Sequence, residues 1–139
     1  MTKSNIEGGA AGIAASGLKA QQARMRVLAE NIANAASTAR TPEGEPYRRQ
    51  VPVFRVAMVG EERGVEMAGV KPDPSAFPKR YDPGHPAANA AGYVQLPNVN
   101  SLAEALDFKQ AMRSYEANLN IMESQDAMDK ATLSILNKR

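Results

Sequence analysis

The stretch SLAEALDFKQAMRSYEANLNIMESQDAMDKATLSILNKR, residues 101–139, decides the fold. It contains neither proline nor glycine. It opens on Ser101-Leu102-Ala103-Glu104, which reads as a capping box: the serine hydroxyl accepts from the backbone three residues on, and the glutamate reaches back to the cap. Phe108, Met112, Tyr115, Leu119 and Met122 then recur at steps of four and three, which places them on one helical face. Leu133 and Leu136 resume that series after Asp126 and Asp129 interrupt it. A second row, Ile121, Met128 and Ile135, repeats every seventh residue. Lys138 and Arg139 close the stretch, where positive charge suits the helix dipole. One uninterrupted helix of this length would measure about 58 Å, so the spacing calls for a long partner.

The partner is expected at the other end of the chain. Leu18, Gln21, Met25, Leu28, Ile32 and Ala35 fall on alternating steps of three and four, with no proline between Gly8 and Asn34. Gly8, Gly12, Ser16 and Ala20 lie four apart, as do Gly9, Ile13 and Gly17. Such rows let another backbone come close, while each interior glycine weakens the isolated helix by about 1 kcal/mol. The sequence predicts a helix that is ordered mainly when packed. Its start is open between a capping box at Ser4-Asn5-Ile6-Glu7 and a start near Ala10. Its end is expected near Asn34 to Ser37. Asn31 and Asn34 admit two readings: amides that hydrogen-bond across subunits and set register, or helix termination.

Between the helices the chain reads as a small β module. Tyr47 to Val59 is strand-like, with Pro52 marking an edge or a bulge. Gly60 to Gly64 is a turn and Val65 to Lys71 a second strand, which together predict a hairpin. Phe77 to Asp82 and Gly92 to Leu96 are short extended pieces. Between them Pro83-Gly84 fits the central positions of a type II turn. The expected architecture is α+β: two long terminal helices packed as an antiparallel coiled-coil-like pair, with a small β-rich middle module. The segments are 1–36, 37–100 and 101–139.

Composition narrows the function. The chain has 139 residues, a net charge of +2, three Phe, four Tyr, no Trp and no Cys. So weak a bias does not argue for nucleic acid, and Lys19, Arg24 and Arg26 read as a solvated helix face. Without cysteine there is no disulfide, thiolate metal site or cysteine nucleophile. No run has transmembrane length, so no membrane insertion is expected. The uncharged run from Gly8 to Leu18 continues into the amphipathic pattern and does not read as a cleaved signal. His85, the single histidine, has Asp82 nearby but no nucleophile or second base arranged with it. Glu123, Asp126 and Asp129 read as a solvated face and not as a metal site. No catalytic, cofactor-binding or metal site is expected, and no cofactor.

Several stretches resemble a known family. Ala14-Ala15-Ser16-Gly17-Leu18-Lys19-Ala20-Gln21, followed by Ala29-Glu30-Asn31-Ile32-Ala33-Asn34-Ala35, is similar to the amino-terminal signature of the flagellar rod and hook proteins. Ser114-Tyr115-Glu116-Ala117-Asn118 resembles their carboxy-terminal signature. The stretches from Arg40 to Arg49, Tyr81 to Pro86 and Gly92 to Asn100 resemble the proximal rod branch. The resemblance covers nearly the whole chain. It implies a structural subunit of the bacterial flagellar basal body, in the rod that spans the periplasm and carries torque. It also implies export through the flagellar type III apparatus without a cleaved signal. The implied neighbours are other proximal and distal rod subunits and the hook–basal body adaptor subunit, with self-association in the rod.

The residues themselves suggest coupled folding and assembly, because each helix carries more apolar surface than one partner can cover. The expected subunit-interface residues are Leu18, Met25, Leu28 and Ile32 on the first helix. On the second they are Phe108, Met112, Tyr115, Leu119, Met122, Met128, Leu133 and Leu136. The rival class is a helical export chaperone or adaptor wrapping another secreted protein. It shares the amphipathic ends but has no need of the β module.

Overall fold

The computed structural model describes residues 9–138. The order is helix α1 (Ala10–Ala33), strands β1 (Gln50–Val59), β2 (Glu62–Pro72), β3 (Lys79–Tyr81) and β4 (Tyr93–Gln95), and helix α2 (Ser101–Leu136). The class is α+β, with terminal helices flanking antiparallel strands. The capping box at Ser4-Asn5-Ile6-Glu7 lies outside the described residues. α1 starts at Ala10, the second of the two expected places.

Local chemistry explains the helix ends. The Asn34 amide donates to the Glu30 carbonyl at 2.9 Å, and the Ser37 hydroxyl donates to Asn34 Oδ1 at 3.1 Å. Asn34 therefore terminates α1. At the start of α2 the cap is Asn100, not Ser101. The backbone N–H groups of Leu102 and Ala103 both donate to Asn100 Oδ1 at 3.1 Å. Asparagine caps at least as well as serine, and its position one residue earlier displaces the expected capping box. That frees Glu104 for a different role.

β1 and β2 form one two-stranded sheet and β3 and β4 another. With two strands per sheet every strand is an edge, which accommodates Pro52. The β1–β2 turn is tighter than expected, because β2 already begins at Glu62. Gly60 takes φ +64 and no described non-glycine residue has positive φ. This is the II′ pattern, which needs glycine at the first loop position. β3 and β4 pair antiparallel with Lys79 opposite Gln95 and Tyr81 opposite Tyr93. The two tyrosine rings meet edge-on at 5.4 Å. The Pro83-Gly84 turn is closed by the His85 N–H on the Asp82 carbonyl at 3.1 Å. Gly84 does not take positive φ, so the turn is type I and not type II. Proline suits the second position of either, and glycine permits the left-handed form without requiring it.

Two compact units are present, and the helices and the β1–β2 hairpin each contribute to both. One comprises Met25–Val53 with Gly69–Lys109. It contains the largest fully buried side chains, Leu28, Val94, Asn31 and Glu104. The other comprises the described parts of Met1–Arg24 and Gln110–Arg139, with Phe54–Ala68. Its buried residues are small: Gly12, Ala14, Gly17, Ala20 and Ala111. A Cβ on Gly17 would lie 2.7 Å from Asn118 Nδ2, so α2 rests directly on the α1 backbone.

β2 is seated on α1 in the same way. Ser16 Oγ donates to the Ile13 carbonyl at 2.7 Å and accepts the Val65 N–H at 3.2 Å. A Cβ on Gly64 would fall 2.5 Å from that oxygen and 2.6 Å from Val59 Cγ2. Because two hydrogen bonds hold the hydroxyl, it cannot swing aside. Gly64→Ala is expected to destabilise the protein by about 2 kcal/mol through overpacking. Thermal unfolding followed by circular dichroism measures the loss.

Candidate assembly surface

The residues that set the geometry of the larger-cored unit form one polar network. Asn31, on the last turns of α1, is fully buried. Its amide donates to the Gln50 carbonyl at 2.8 Å and to Glu104 Oε2 at 3.1 Å. Its oxygen accepts the Tyr47 hydroxyl at 2.8 Å and the Gln50 N–H at 2.9 Å. Both donors and both lone pairs are thus satisfied, and the amide pairs with Gln50 much as a neighbouring strand would. Of the two readings of Asn31, neither applies: it sets register within the chain.

Glu104, on the first turn of α2, is only 1% exposed. Its second oxygen accepts from Arg49 Nε. Arg49 also pairs with Asp73 Oδ2 at 3.2 Å. The backbone N–H of Arg49 donates to Asn98 Oδ1 at 2.7 Å, and the Asn98 amide donates to the carbonyls of Asp73 and Ser75 at 3.1 Å. Arg48 reaches the same turn, donating to the Asp73 carbonyl at 2.7 Å, and lies 4.2 Å from the centre of the Phe77 ring. These bonds draw Tyr47, Arg48 and Arg49 away from β1, which therefore begins at Gln50. They also explain why Tyr47-Arg48-Arg49 and Asn98, part of the stretches that carry the family resemblance, lie together.

The charges respond to this setting. Burial pushes the Tyr47 phenol up, and the negative charges of Glu30 and Glu104 add to it. Burial works against the Arg49 cation, but its bonds to Glu104 and Asp73 outweigh that and raise it. Hydrogen bonds from Ser75 hold Asp73 below its usual value, and Arg49 adds to the effect.

The expected interface residues divide into three groups. Leu28 is buried within the chain's own core, at 2% exposure. Leu18, Met25, Phe108, Tyr115 and Met122 are half-buried. Ile32, Met112, Leu119, Met128, Leu133 and Leu136 are exposed, and along α2 the exposure rises from 37% at Leu119 to 63% at Met128 and 64% at Leu136. Every residue from Asp126 to Lys138 is exposed. Ile121 and Ile135 extend this uncovered apolar surface, at 47% and 69%.

His85 serves its turn. Its Nδ1 accepts the Ala87 N–H at 3.0 Å, so in the neutral ring Nε2 carries the proton and faces Thr38 Oγ1 at 3.2 Å. Asp126 pairs with Lys130 at 2.7 Å, and Asp129 accepts from Gln125 at 2.9 Å. Among the described residues no group of acidic or histidine side chains could hold a metal ion. No described helix is long and apolar enough to cross a membrane.

A family model described as flagella basal body rod protein matches residues 13–40. A second, described as flagellar basal body rod FlgEFG protein C-terminal, matches residues 90–135. The flagellar basal-body rod protein FlgC of Agrobacterium fabrum is 43% identical over 127 residues, covering 89% of this chain and 91% of the relative. The FlgC of Borreliella burgdorferi is 38% identical, over 89% of this chain and 93% of the relative. That of Bacillus subtilis is 38% identical, over 88% and 93%. The chain belongs to the FlgC family of flagellar basal-body rod proteins. It is a structural subunit of the proximal rod, and membership sets it apart from the export chaperones that amphipathic ends alone would also suit. Its place is the basal body, where rod components assemble with one another.

Glu104→Ala leaves the Asn31 amide and the Arg49 guanidinium without their buried partner, and about 3 kcal/mol of stability should be lost. Urea unfolding measures this. Asp73 has a lowered carboxyl pKa in the folded state, so its contribution is complete above the unfolded value near 4 and disappears as pH falls through the folded value. Asp73→Asn should therefore flatten the decline of stability below pH 4 while lowering stability at neutral pH.

Proposed function

We propose that the chain enters the rod through its terminal helices. One observation carries this reading: α2 continues for 36 residues, yet its last third is exposed on all sides and bears Met128, Leu133, Ile135 and Leu136. The unit to which it belongs buries only glycine and alanine fully. Covering an alanine methyl stabilises by about 0.8 kcal/mol, against about 1.5–3 kcal/mol for a leucine or valine. Such a core offsets little of the entropy of ordering two helices. Neighbouring subunits supply the missing burial, so ordering and assembly occur together.

The neighbours in this reading are the other proximal rod subunits, the distal rod and the hook–basal body adaptor subunit. The route is export by the flagellar type III apparatus without a cleaved signal. The role is mechanical and not enzymatic: the chain transmits torque through packed helices. Leu119 is partly exposed on the α2 face, so an aspartate there leaves the protomer folded but places a charge in the assembled contact. Leu119→Asp should abolish motility and remove the chain from detergent-washed basal bodies by mass spectrometry, with the far-ultraviolet spectrum of the purified protein retained. Normal motility in this variant would contradict the proposal.

A further inference from the structure

We propose that an open groove between α1 and the β1–β2 hairpin receives the carboxy-terminal part of α2 from a second copy of this chain. The inference rests on the reading above, that the terminal helices make the subunit contacts, and it names which surfaces meet.

The groove has a volume of about 660 Å³. Its helical wall is Gly12, Ser16, Ala20 and Ala23, and Met58 and Met67 stand on the hairpin side. Small residues on one wall let a helix approach closely, and methionines on the other adapt to its side chains. Met58 is 63% exposed, although its side chain is apolar.

The end of α2 has the complementary properties. Met128, Leu133, Ile135 and Leu136 are each at least 59% exposed. Among the described residues none covers them. α2 is helical through Leu136 and cannot turn back on itself.

Charge selects the match. From Ala10 to Arg26, α1 carries Lys19, Arg24 and Arg26 and no acid. Lys19 lines the groove, as does Glu66, which Arg55 already engages. From Glu116 to Lys130, α2 carries Glu116, Glu123, Asp126 and Asp129 against the single Lys130. The ion pairs among the described residues engage Asp126 with Lys130 but none of the three α1 cations, nor Glu116, Glu123 or Asp129. Opposite charges left unpaired on the two surfaces of one chain are paired when those surfaces belong to different copies. Each copy then offers one groove and one helix end, a heterologous contact that extends without closing.

The absence of cysteine makes the test direct. Full-length chains bearing Met58→Cys are mixed with differently tagged chains bearing Met128→Cys, both positions being exposed, and oxidised. A disulfide-linked pair of the two tags is expected, in clear excess over a control pair of Met58→Cys with Ala90→Cys. Adding Lys19→Glu to the groove copy should lower the yield about five-fold, the scale of one exposed ion pair. Adding Glu123→Lys and Asp129→Lys to the other copy should restore it. No excess over the control, or a yield indifferent to these charges, overturns the inference. The same cysteines in isolated basal bodies separate the two levels. A chain that is present there but unlinked sinks this contact alone, whereas a chain absent from the particle sinks the reading beneath it.

Discussion

A carboxylate with 1% exposure constrains most of what surrounds it. Burying Glu104 would cost several kcal/mol if its oxygens lacked partners. Both have them, in Asn31 and Arg49. The consequence is geometric. The first turn of α2, the last turns of α1 and the segment entering β1 must arrive together, because each supplies a group the others cannot do without. Asn31 extends the constraint to Gln50 and Tyr47, and Arg49 extends it to the turn at Asp73 and to Asn98. The unit of Met25–Val53 and Gly69–Lys109 is therefore specified by polar pairing and then filled by Leu28, Val27 and Val94.

The other unit follows a different principle. Its helices meet through glycine and alanine, with Gly17 against Asn118 and Gly64 against Ser16. Close approach gives many dispersion contacts but little apolar area, and no large side chain among the described residues is fully buried there. Its large apolar side chains point outward instead, at Val56, Met58, Met128 and Ile135. One unit thus has large side chains in its core, while the other leaves its large apolar side chains uncovered.

The helices, the hairpin and the α+β class were legible in the sequence because they rest on local periodicity, on turn residues and on glycine-free length. The row of small residues on α1 was legible for the same reason, and the structure uses it at Gly17. What local pattern did not give was the network. Asn31 and Glu104 lie 73 residues apart, and Arg49 and Glu104 lie 55 apart. No window of sequence contains both members of either pair. Glu104 matched a capping box three residues after Ser101, and only the better cap at Asn100 shows that it was free for something else. The type of the Pro83-Gly84 turn was beyond local reading in another sense, since glycine is compatible with both alternatives. Leu28 matched the exposed interface stripe by spacing, yet the chain itself buries it, while Ile32 four residues on stays exposed.

On the proposed assembly, neighbours complete the helical unit while the network unit stands alone. Hydrogen exchange read by mass spectrometry, on the purified chain and on the same chain in isolated basal bodies, separates the two. In the purified chain, backbone amides around residues 31, 49, 94 and 104 should exchange slowly, and those from about 116 to 136 should exchange rapidly despite being helical. In the basal body both regions should be protected. Slow exchange over residues 116–136 in the isolated chain, equal to that in the particle, would contradict the claim.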